Sequence, residues 1–395
     1  MSDPLAEVQT VICAIPKRRD WTQHGIAKTL EHRVILRLIT KHGVEGWGEA
    51  TALAQWGGIE GRYYGETPTT VTHIIHDLFA PALFECDLRA PRVVMEMLDS
   101  LIVGHPYAKA TVEMALQDIR GKRCGEPLFR LLGGPYRSAI RIGHMLGMMQ
   151  ADEALDEAQR SIETDGISAF QIKGGTDPAR DVALIERLRS ALPAGIFLRL
   201  DANKGYGRIA KDLAGIVQRL EAAGIDAIEQ PAATVEGMRA CREATTVPII
   251  ADEGCWSARD VLELRDARAI DAVSVYVAKA GGMEHATDVA RMAALAGYRC
   301  DINGSLETGI GNAASMHTAL AAETLTLPSI IPVPSAANHL LTQYAGRYWE
   351  DDLVQGGYSY REGYLYIADA PGLGIQVDKK KVATYAANKP RTSRP

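Results

Sequence analysis

The sequence has no hydrophobic run near the roughly 20 residues that a membrane-spanning helix requires. It also lacks an excess of basic residues, since the formal net charge is −6 and the pI is about 6.0. These two absences predict that the chain binds neither a membrane nor a nucleic acid. The first residues contain no basic and apolar signal-peptide pattern. We therefore expect a cytoplasmic protein.

Paired cysteines are also missing. The six cysteines are scattered singly and form no Cys-x-x-Cys motif. This spacing predicts free thiols rather than a disulfide framework. No internal repeat is visible beyond the strand–helix period described next, and no low-complexity linker divides the 395 residues.

Short apolar runs alternate with helical patterns from residue 140 onward. Five of the runs end in an ionisable residue, and these recur about every 25 residues, which is the length of one strand, one helix and two loops. Repeated strand–helix units form a parallel sheet, and about eight of them predict a closed barrel rather than an open sheet. The first strand is expected at Ile140–Leu146 and the eighth at Ile330–Val333.

The segments on either side of this repeat are different in character. Residues 7–50 are rich in strand patterns, and a helix is predicted over Tyr107–Arg123, so the first domain is α+β and ends near residue 135. The basic segment Lys379–Arg394 is predicted to be a partly disordered surface tail.

The five ionisable residues are Lys173, Asp201, Glu229, Asp252 and Lys279. Parallel barrels place their chemistry at the carboxyl ends of the strands, where these residues are predicted to lie. Three carboxylates on successive strands cannot all stay ionised without a cation, and oxygen ligands favour Mg²⁺ or Mn²⁺ over zinc. A helix cap explains one such carboxylate readily, but not three on consecutive strands.

The two lysines end the second and sixth strands, half a turn apart around the barrel, with the carboxylates between them. A nearby dication lowers the proton affinity of a lysine, which suits a general base; salt bridges are the alternative. Such a site can remove the proton next to a substrate carboxylate and form an enediolate. Glu307, after strand seven, is predicted to orient a lysine or to bind the substrate carboxylate, with a helix cap as the alternative.

The motifs around these residues resemble the enolase superfamily, in particular the muconate lactonizing enzyme subgroup of the mandelate racemase/muconate lactonizing enzyme family. The resemblance covers nearly the whole chain. Six motifs carry most of it: Gln171-Ile-Lys173, Leu200-Asp-Ala-Asn203, Ile228-Glu-Gln-Pro231, Ala251-Asp-Glu253, Ala278-Lys-Ala-Gly-Gly282 and Leu306-Glu-Thr-Gly-Ile-Gly311.

The resemblance implies a modified (β/α)7β TIM-type barrel over residues 136–345 and an α+β capping domain over residues 1–135. Residues 346–395 would pack back on the capping domain, and the protein would be a homo-oligomer, either a dimer or an octamer. Mg²⁺ would bind Asp201, Glu229 and Asp252, and Lys173 and Lys279 would be the acid/base pair.

Three further residues would surround these groups. Asn203 and Glu253 would lie next to the metal ligands. Gln171 departs from the family pattern, because it stands where the family has the first lysine of a Lys-x-Lys motif. Lys173 would therefore have a less positive neighbour and a different pKa.

The substrate is expected to be a small carboxylate. The segment from Ile15 to Leu38 resembles the capping loop of muconate cycloisomerases, and four residues are expected to bind substrate: Lys17, Arg19, His24 and Tyr64. The sequence favours a lactonizing cycloisomerase of the muconate type. A racemase or epimerase of an N-acyl amino acid, dipeptide or proline derivative is the alternative, and a hydroxy-acid dehydratase is the third. A non-catalytic binding barrel is disfavoured because all five rim residues are present. A Schiff-base aldolase is a further class, which borohydride would trap with a keto substrate and which a chelator would leave active.

Overall fold

The computed structural model describes residues 3–18, 32–58, 62–209, 211–336 and 339–395 of the chain. The first part contains three strands, followed by helices that begin at residue 68. They are β1 (Leu5–Ala14), β2 (His32–Thr40), β3 (Glu45–Ala50), α1 (Pro68–His73), which continues through a π-helical segment (Ile74–Phe79) into α2 (Ala80–Phe84), then α3 (Pro91–Leu101), α4 (Pro106–Cys124) and α5 (Leu128–Leu131).

Helix α4 packs directly on the backbone of β3. Gly46 and Gly48 make this possible, because a Cβ atom at either position would lie about 2 Å from a carbonyl oxygen of α4. The helix begins with Pro106 and ends at Gly125, whose left-handed conformation is typical of a helix end. The predicted helix at Tyr107–Arg123 is confirmed.

The central part of the chain alternates strands and helices as predicted. The elements are β4 (Ile140–Arg141), β5 (His144–Leu146), α6 (Ala151–Asp165), β6 (Ala169–Lys173), α7 (Pro178–Ala191), β7 (Phe197–Asp201), α8 (Tyr206–Ile209), α9 (Leu213–Ala222), β8 (Ala227–Glu229), α10 (Val235–Ala244), β9 (Ile249–Ala251), α11 (Ala258–Asp266), β10 (Ala272–Tyr276), α12 (Val277–Ala280), α13 (Met283–Leu295), β11 (Arg299–Asn303) and α14 (Gly309–Ala321). Strands β5 to β11 form one parallel sheet in sequence order, which confirms the barrel fold.

The first and last strand positions of the barrel, which would meet to close it, are irregular. The strand predicted at Ile140–Leu146 is divided, since β4 pairs with a C-terminal strand and only β5 belongs to the barrel. The prediction of a regular eighth strand at Ile330–Val333 is wrong. Instead, isolated bridges at Leu325 and Ser329 join this segment to β11 on one side and to Ile142 on the other.

The remaining elements are short. They are β12 (Ser335–Ala336), β13 (His339–Leu340), β14 (Val354–Gln355), β15 (Tyr358–Arg361), β16 (Tyr364–Ile367), β17 (Gln376–Val377), α15 (Lys379–Thr384) and β18 (Arg391–Ser393). Strand β18 pairs with β1 and extends the first sheet to the order β18-β1-β2-β3. The domain limits at residues 135 and 345 stay a prediction.

The expected disorder of the basic tail is wrong. Lys381 pairs with Asp351 at 2.6 Å, and Arg394 pairs with Glu7 at 2.8 Å. Opposite charges from distant segments therefore hold this segment in place. The six cysteines are free, as predicted. None of the described helices has both the length and the apolar character that crossing a membrane requires.

Candidate active site

Three buried carboxylates meet at the carboxyl end of the barrel sheet. Asp201 ends β7, Glu229 ends β8, and Asp252 follows β9 directly. One carboxylate oxygen of each residue lies within 4.8 Å of one oxygen of each of the others. The register explains this, because Asp201 is paired with Glu229 across the two neighbouring strands. We call these three residues the carboxylate trio.

Gln171 and Arg199 hold the trio from inside the barrel. Gln171 Nε2 donates hydrogen bonds to Glu229 Oε2 at 2.7 Å and to Asp201 Oδ2 at 3.4 Å. Arg199 Nε lies 3.2 Å from the same Glu229 oxygen, and its guanidinium also pairs with Asp301. Glu229 Oε2 is therefore fully engaged within the protein. Its other oxygen, Oε1, is buried and has no hydrogen-bond partner.

Burial raises the pKa values of Glu229 and Asp252. For Glu229, burial raises the pKa well above its usual range, Arg199 opposes the shift, and the charges of Asp201 and Asp252 add to it. For Asp252, burial again raises the pKa, and the adjacent Lys279 opposes the shift. Ionised carboxylates are therefore unfavourable in this buried position unless a positive charge lies beside them.

The trio fits a hard divalent cation. All the donors are oxygen atoms, the oxygens are close enough to share one ion, and Glu229 Oε1 has an unused lone pair in a buried position. Mg²⁺ and Mn²⁺ prefer carboxylate oxygens, whereas zinc prefers histidine and cysteine ligands. A bound dication would also remove the electrostatic cause of the raised pKa values.

Lys173 lies on one side of the trio. Its ammonium group donates to Asp201 Oδ2 at 2.5 Å and to Asn203 Oδ1 at 3.5 Å. Burial alone would lower the pKa of Lys173, but the carboxylates of Asp201 and Glu229 raise it above its ordinary value. The amine is therefore protonated in this arrangement, and a cation on the trio would act in the opposite direction.

Lys279 lies on the other side of the trio, beside Asp252. It belongs to the one-turn helix α12 and not to the end of the strand as predicted, since β10 ends at Tyr276. Its ammonium group donates to Asp252 Oδ1 at 2.8 Å and to the carbonyl oxygens of Asp252 and Ser274 at 2.7 and 2.9 Å. The rings of Tyr276 and Trp56 lie 4.6 and 5.8 Å from it.

Asn203 and Glu253 lie next to the trio, where the resemblance implied. The Asn203 backbone N–H donates to Asp201 Oδ1 at 2.9 Å, and its side chain donates to Glu253 Oε1 at 3.3 Å. Burial and the charge of Asp252 raise the pKa of Glu253 to about 8. Asn203 has a φ of 44°, which asparagine adopts more readily than most residues.

In the described part of the chain, Glu307 forms no hydrogen bond or ion pair with either lysine, and it does not line the pocket beside the trio. Its side chain is buried near Glu49, and its Oε2 atom has no hydrogen-bond partner. Burial and the charge of Glu49 raise the pKa of Glu307 to about 8. Its predicted catalytic role gains no support from this geometry. The helix cap proposed for it is provided instead by Glu49 and Thr308, which bond the first amides of α14.

The four residues expected to bind substrate are placed as follows. Arg19 and His24 lie outside the described residues. Lys17 is half-buried and pairs through its backbone with Trp349. The side chain of Tyr64 is 63% exposed and lies against Gly104. Neither Lys17 nor Tyr64 lines the pocket, so their role in substrate binding stays a prediction.

The pocket beside the trio is lined by polar and by uncharged residues. Its polar residues, which we call the polar side, are Gln171, Lys173, Asn203 and Asp252. Its uncharged residues, which we call the uncharged wall, are Gly304, Ser305 and six apolar or aromatic residues: Leu53, Trp56, Met145, Tyr276, Leu306 and Ile330. Leu53 and Trp56 come from the segment after β3, so the first part of the chain helps to close the barrel mouth.

Sequence reasoning missed Arg199 and the residues of the uncharged wall. A period of two would have found Arg199, because it precedes Asp201 by two positions on the same strand and so faces the same side. The same period places Ser274 and Tyr276 together. No sequence signal would have found Trp56, since its place in the pocket depends on how the segment after β3 packs on the barrel.

Comparisons with known families agree with this architecture. Residues 153–381 match the family described as enolase C-terminal domain-like. Residues 10–133 match the mandelate racemase/muconate lactonizing enzyme N-terminal domain. Together the two matches cover the α+β part, the barrel and much of the C-terminal segment.

Individual proteins are similar over nearly the whole chain. Muconate cycloisomerase 1 of Acinetobacter baylyi is 30% identical over 382 residues, which are 95% of this chain and 97% of that protein. L-Ala-D/L-Glu epimerase of Bacillus subtilis is 30% identical over 376 residues, which are 94% and 96% of the two chains.

A solved structure is also similar throughout. Muconate lactonizing enzyme of Pseudomonas fluorescens, solved with muconolactone, superposes with a TM-score of 0.86 at 27% identity over 98% of this chain and 100% of that one. The two family matches and the relatives at 30% identity show the same ancestry. The chain is therefore an enzyme of the mandelate racemase/muconate lactonizing enzyme family within the enolase superfamily.

Proposed function

We propose that this enzyme transfers a proton at the carbon next to the carboxylate of a small substrate. One observation carries the proposal: two buried lysines lie on either side of the trio, Lys173 against Asp201 and Lys279 against Asp252. A hydrogen at such a carbon is weakly acidic. An enzyme therefore has to supply both a positioned base and stabilisation of the developing negative charge.

The carboxylate trio would hold Mg²⁺ or Mn²⁺. When bound, the ion would stabilise the second negative charge that the substrate carboxylate gains in the enediolate form. The side chains of the enzyme perform the proton transfer, with Lys173 and Lys279 as the acid/base pair. Gln171 and Arg199 keep the trio oriented through their hydrogen bonds to Glu229.

The geometry favours a racemase or epimerase as the overall reaction. Inversion of a carbon requires removal of a proton from one face and its return to the other, which two separate lysines can perform. A lactonisation requires only one proton donor.

A muconate-type cycloisomerase is the second candidate. Curated enzymes of that name align with nearly the whole chain at about 30% identity. In addition, Arg18, which precedes Arg19, is attached to the C-terminal part of the chain. Its backbone N–H donates to the Tyr348 carbonyl oxygen at 3.2 Å. A neutral residue in place of Arg19 should raise the KM for a dicarboxylate if this candidate is correct.

The decisive experiment is incubation of the enzyme with Mg²⁺ in D₂O against muconates, N-acyl amino acids, dipeptides and proline derivatives, followed by NMR. Deuterium at the α-carbon of both enantiomers supports a racemase or epimerase. Formation of a deuterated lactone supports a cycloisomerase. Absence of deuterium from every compound, or exchange that persists after chelation of the metal, contradicts the proposal.

A further inference from the structure

Two buried hydrogen-bonding groups in the pocket are not fully satisfied. Trp56 and Ser305 are each only 6% exposed, and both line the pocket. Trp56 Nε1 has no hydrogen-bond partner, and the Ser305 hydroxyl faces the hydroxyl of Tyr107, a pair in which only one O–H can donate to the other. An unsatisfied buried polar group costs about 1–3 kcal/mol. Two such groups in one pocket therefore indicate a ligand that satisfies them.

The indole N–H of a neighbouring tryptophan, in contrast, has a partner within the protein. The ring centroids of Trp56 and Trp256 are 5.9 Å apart. Trp256 Nε1 donates to the Glu253 carbonyl oxygen at 3.0 Å, so its N–H is satisfied within the protein. The chain thus satisfies one indole N–H of the pair and leaves the other, on a residue that lines the pocket, without a partner.

The uncharged wall is held in place from behind. Leu306, next to Ser305, has a φ of 63°, which is rare for a leucine and costs of the order of 1 kcal/mol or more. The fully buried guanidinium of Arg33, on β2, donates to the Leu306 carbonyl oxygen at 2.9 Å. The first sheet therefore supports the unusual backbone conformation of the residue next to Ser305.

The chemistry of the wall limits what can bind there. An indole N–H is a donor only, so its partner has to be an acceptor. A second carboxylate would lose its hydration, which is costly, and the cation among the described lining residues, Lys173, is already paired with Asp201. A substrate ammonium group is also disfavoured, because the faces of Tyr276 and Trp56 already lie over the ammonium group of Lys279.

We propose that Trp56 and Ser305 bind an uncharged hydrogen-bond acceptor of the substrate, such as an amide or ketone carbonyl. This inference rests on the proposed function, because the substrate carboxylate occupies the polar side of the pocket. The two residues then determine specificity: they select carboxylates with a neutral acyl group over dicarboxylates and over free amino acids.

The test uses the full chain with Mg²⁺ and three sets of probes: N-acetyl amino acids, the same amino acids with free amino groups, and cis,cis-muconate. Indole N–H signals are followed by ¹⁵N NMR, and the Trp56 signal is identified by its loss in Trp56→Phe. We expect this signal to shift with the N-acetyl compounds alone. Trp56→Phe should weaken their binding about tenfold, and Ser305→Ala about fivefold, as expected for one lost hydrogen bond.

Trp256→Phe is the matched control. It removes an indole N–H that bonds within the protein, so it should lower the Tm and leave the preference among the three probe sets unchanged. Binding of an N-acetyl compound without a shift of the Trp56 signal overturns this inference and leaves the proposed function standing. A shift with muconate alone does the same. Failure of all probes to bind and to exchange their α-hydrogen overturns both.

Discussion

The two lysines of the site have the same chemistry but different surroundings. Lys173 lines the pocket and bonds two side chains, those of Asp201 and Asn203. Lys279 uses all three N–H groups on Asp252 and Ser274 and lies close to two aromatic rings. Lys173 can therefore reach a substrate in the described geometry, whereas Lys279 first has to release a partner. The hydrogen-bond partners of the two lysines therefore determine how readily each can transfer a proton.

The largest effect is expected for Lys173→Met. Loss of a positioned acid/base group should reduce turnover about 10³- to 10⁴-fold. Exchange of the α-hydrogen in D₂O measures this directly, and titration with Mn²⁺ checks that the metal site persists. Turnover near that of the unmodified enzyme would show that Lys173 is not part of the proton transfer.

Lys279→Met should show how much Lys279 contributes to the free energy of unfolding. Its removal leaves the buried carboxylate of Asp252 without a cation, which costs about 3–5 kcal/mol. Urea unfolding of the metal-free protein should show this loss, and it should exceed the loss in Lys173→Met because Lys279 also bonds two carbonyl oxygens. Mg²⁺ should restore part of the stability. Equal losses in the two variants would contradict the difference drawn between the lysines.

Gln171→Lys should restore the Lys-x-Lys motif of the family and place a second positive charge near Lys173. An ammonium group would stand where the Gln171 amide now donates to Glu229 and Asp201, and it would compete with a bound cation for their oxygens. We expect Mg²⁺ affinity to fall about 10- to 100-fold. The added charge should also lower the pKa of Lys173, which moves the corresponding limb of the pH–rate profile to lower pH.

Gln171→Met is the control for that change, because it removes the amide donor without adding charge. It should disorder the trio modestly, but it should not shift the limb of the pH–rate profile that reports the pKa of Lys173. If both variants shift the profile equally, the effect is not due to the charge.

The smallest effect is expected for Glu307→Gln, which tests how the buried carboxyl group of Glu307 changes stability with pH. The pKa of Glu307 is raised from 4.5 to about 8 on folding. The folded state therefore binds more protons than the unfolded state in this window, so stability falls as the pH rises, by up to about 1.4 kcal/mol per pH unit.

The variant should show a shallower decline between pH 5 and 8, a range within that window, because glutamine does not titrate. Urea unfolding at several pH values measures the slope. Identical slopes in the two proteins would mean that Glu307 is already ionised in the folded state.

The strand-end rule predicted the centre of the site from sequence. Lys173, Asp201 and Glu229 each end a strand, and parallel strands bring their ends to one edge. The rule misplaced Lys279, because the chain turns into a helix one residue after Tyr276. It also offered Glu307, which follows β11 but is not among the residues that line the pocket. Position after a strand does not by itself specify the direction of a side chain.

Features that depend on distant segments could not be predicted. The basic tail was expected to be disordered because its charges were counted alone, yet Arg394 meets Glu7 and Lys381 meets Asp351. The unpartnered N–H of Trp56 becomes evident only when the packing around Trp256 and Tyr276 is known. Sequence patterns describe one element at a time, whereas these features are relations between elements.

The pairing of β18 with β1 has a consequence for how the chain folds during synthesis. Val8 is matched with Ser393, so the partner of this sheet edge leaves the ribosome only after the whole barrel sequence. Until then β1 presents unpaired backbone groups, which are prone to wrong pairing with other chains. Because synthesis is vectorial, the barrel sequence is complete before β18 can close the first sheet. The nascent chain with this open sheet edge is the species that a chaperone would have to protect.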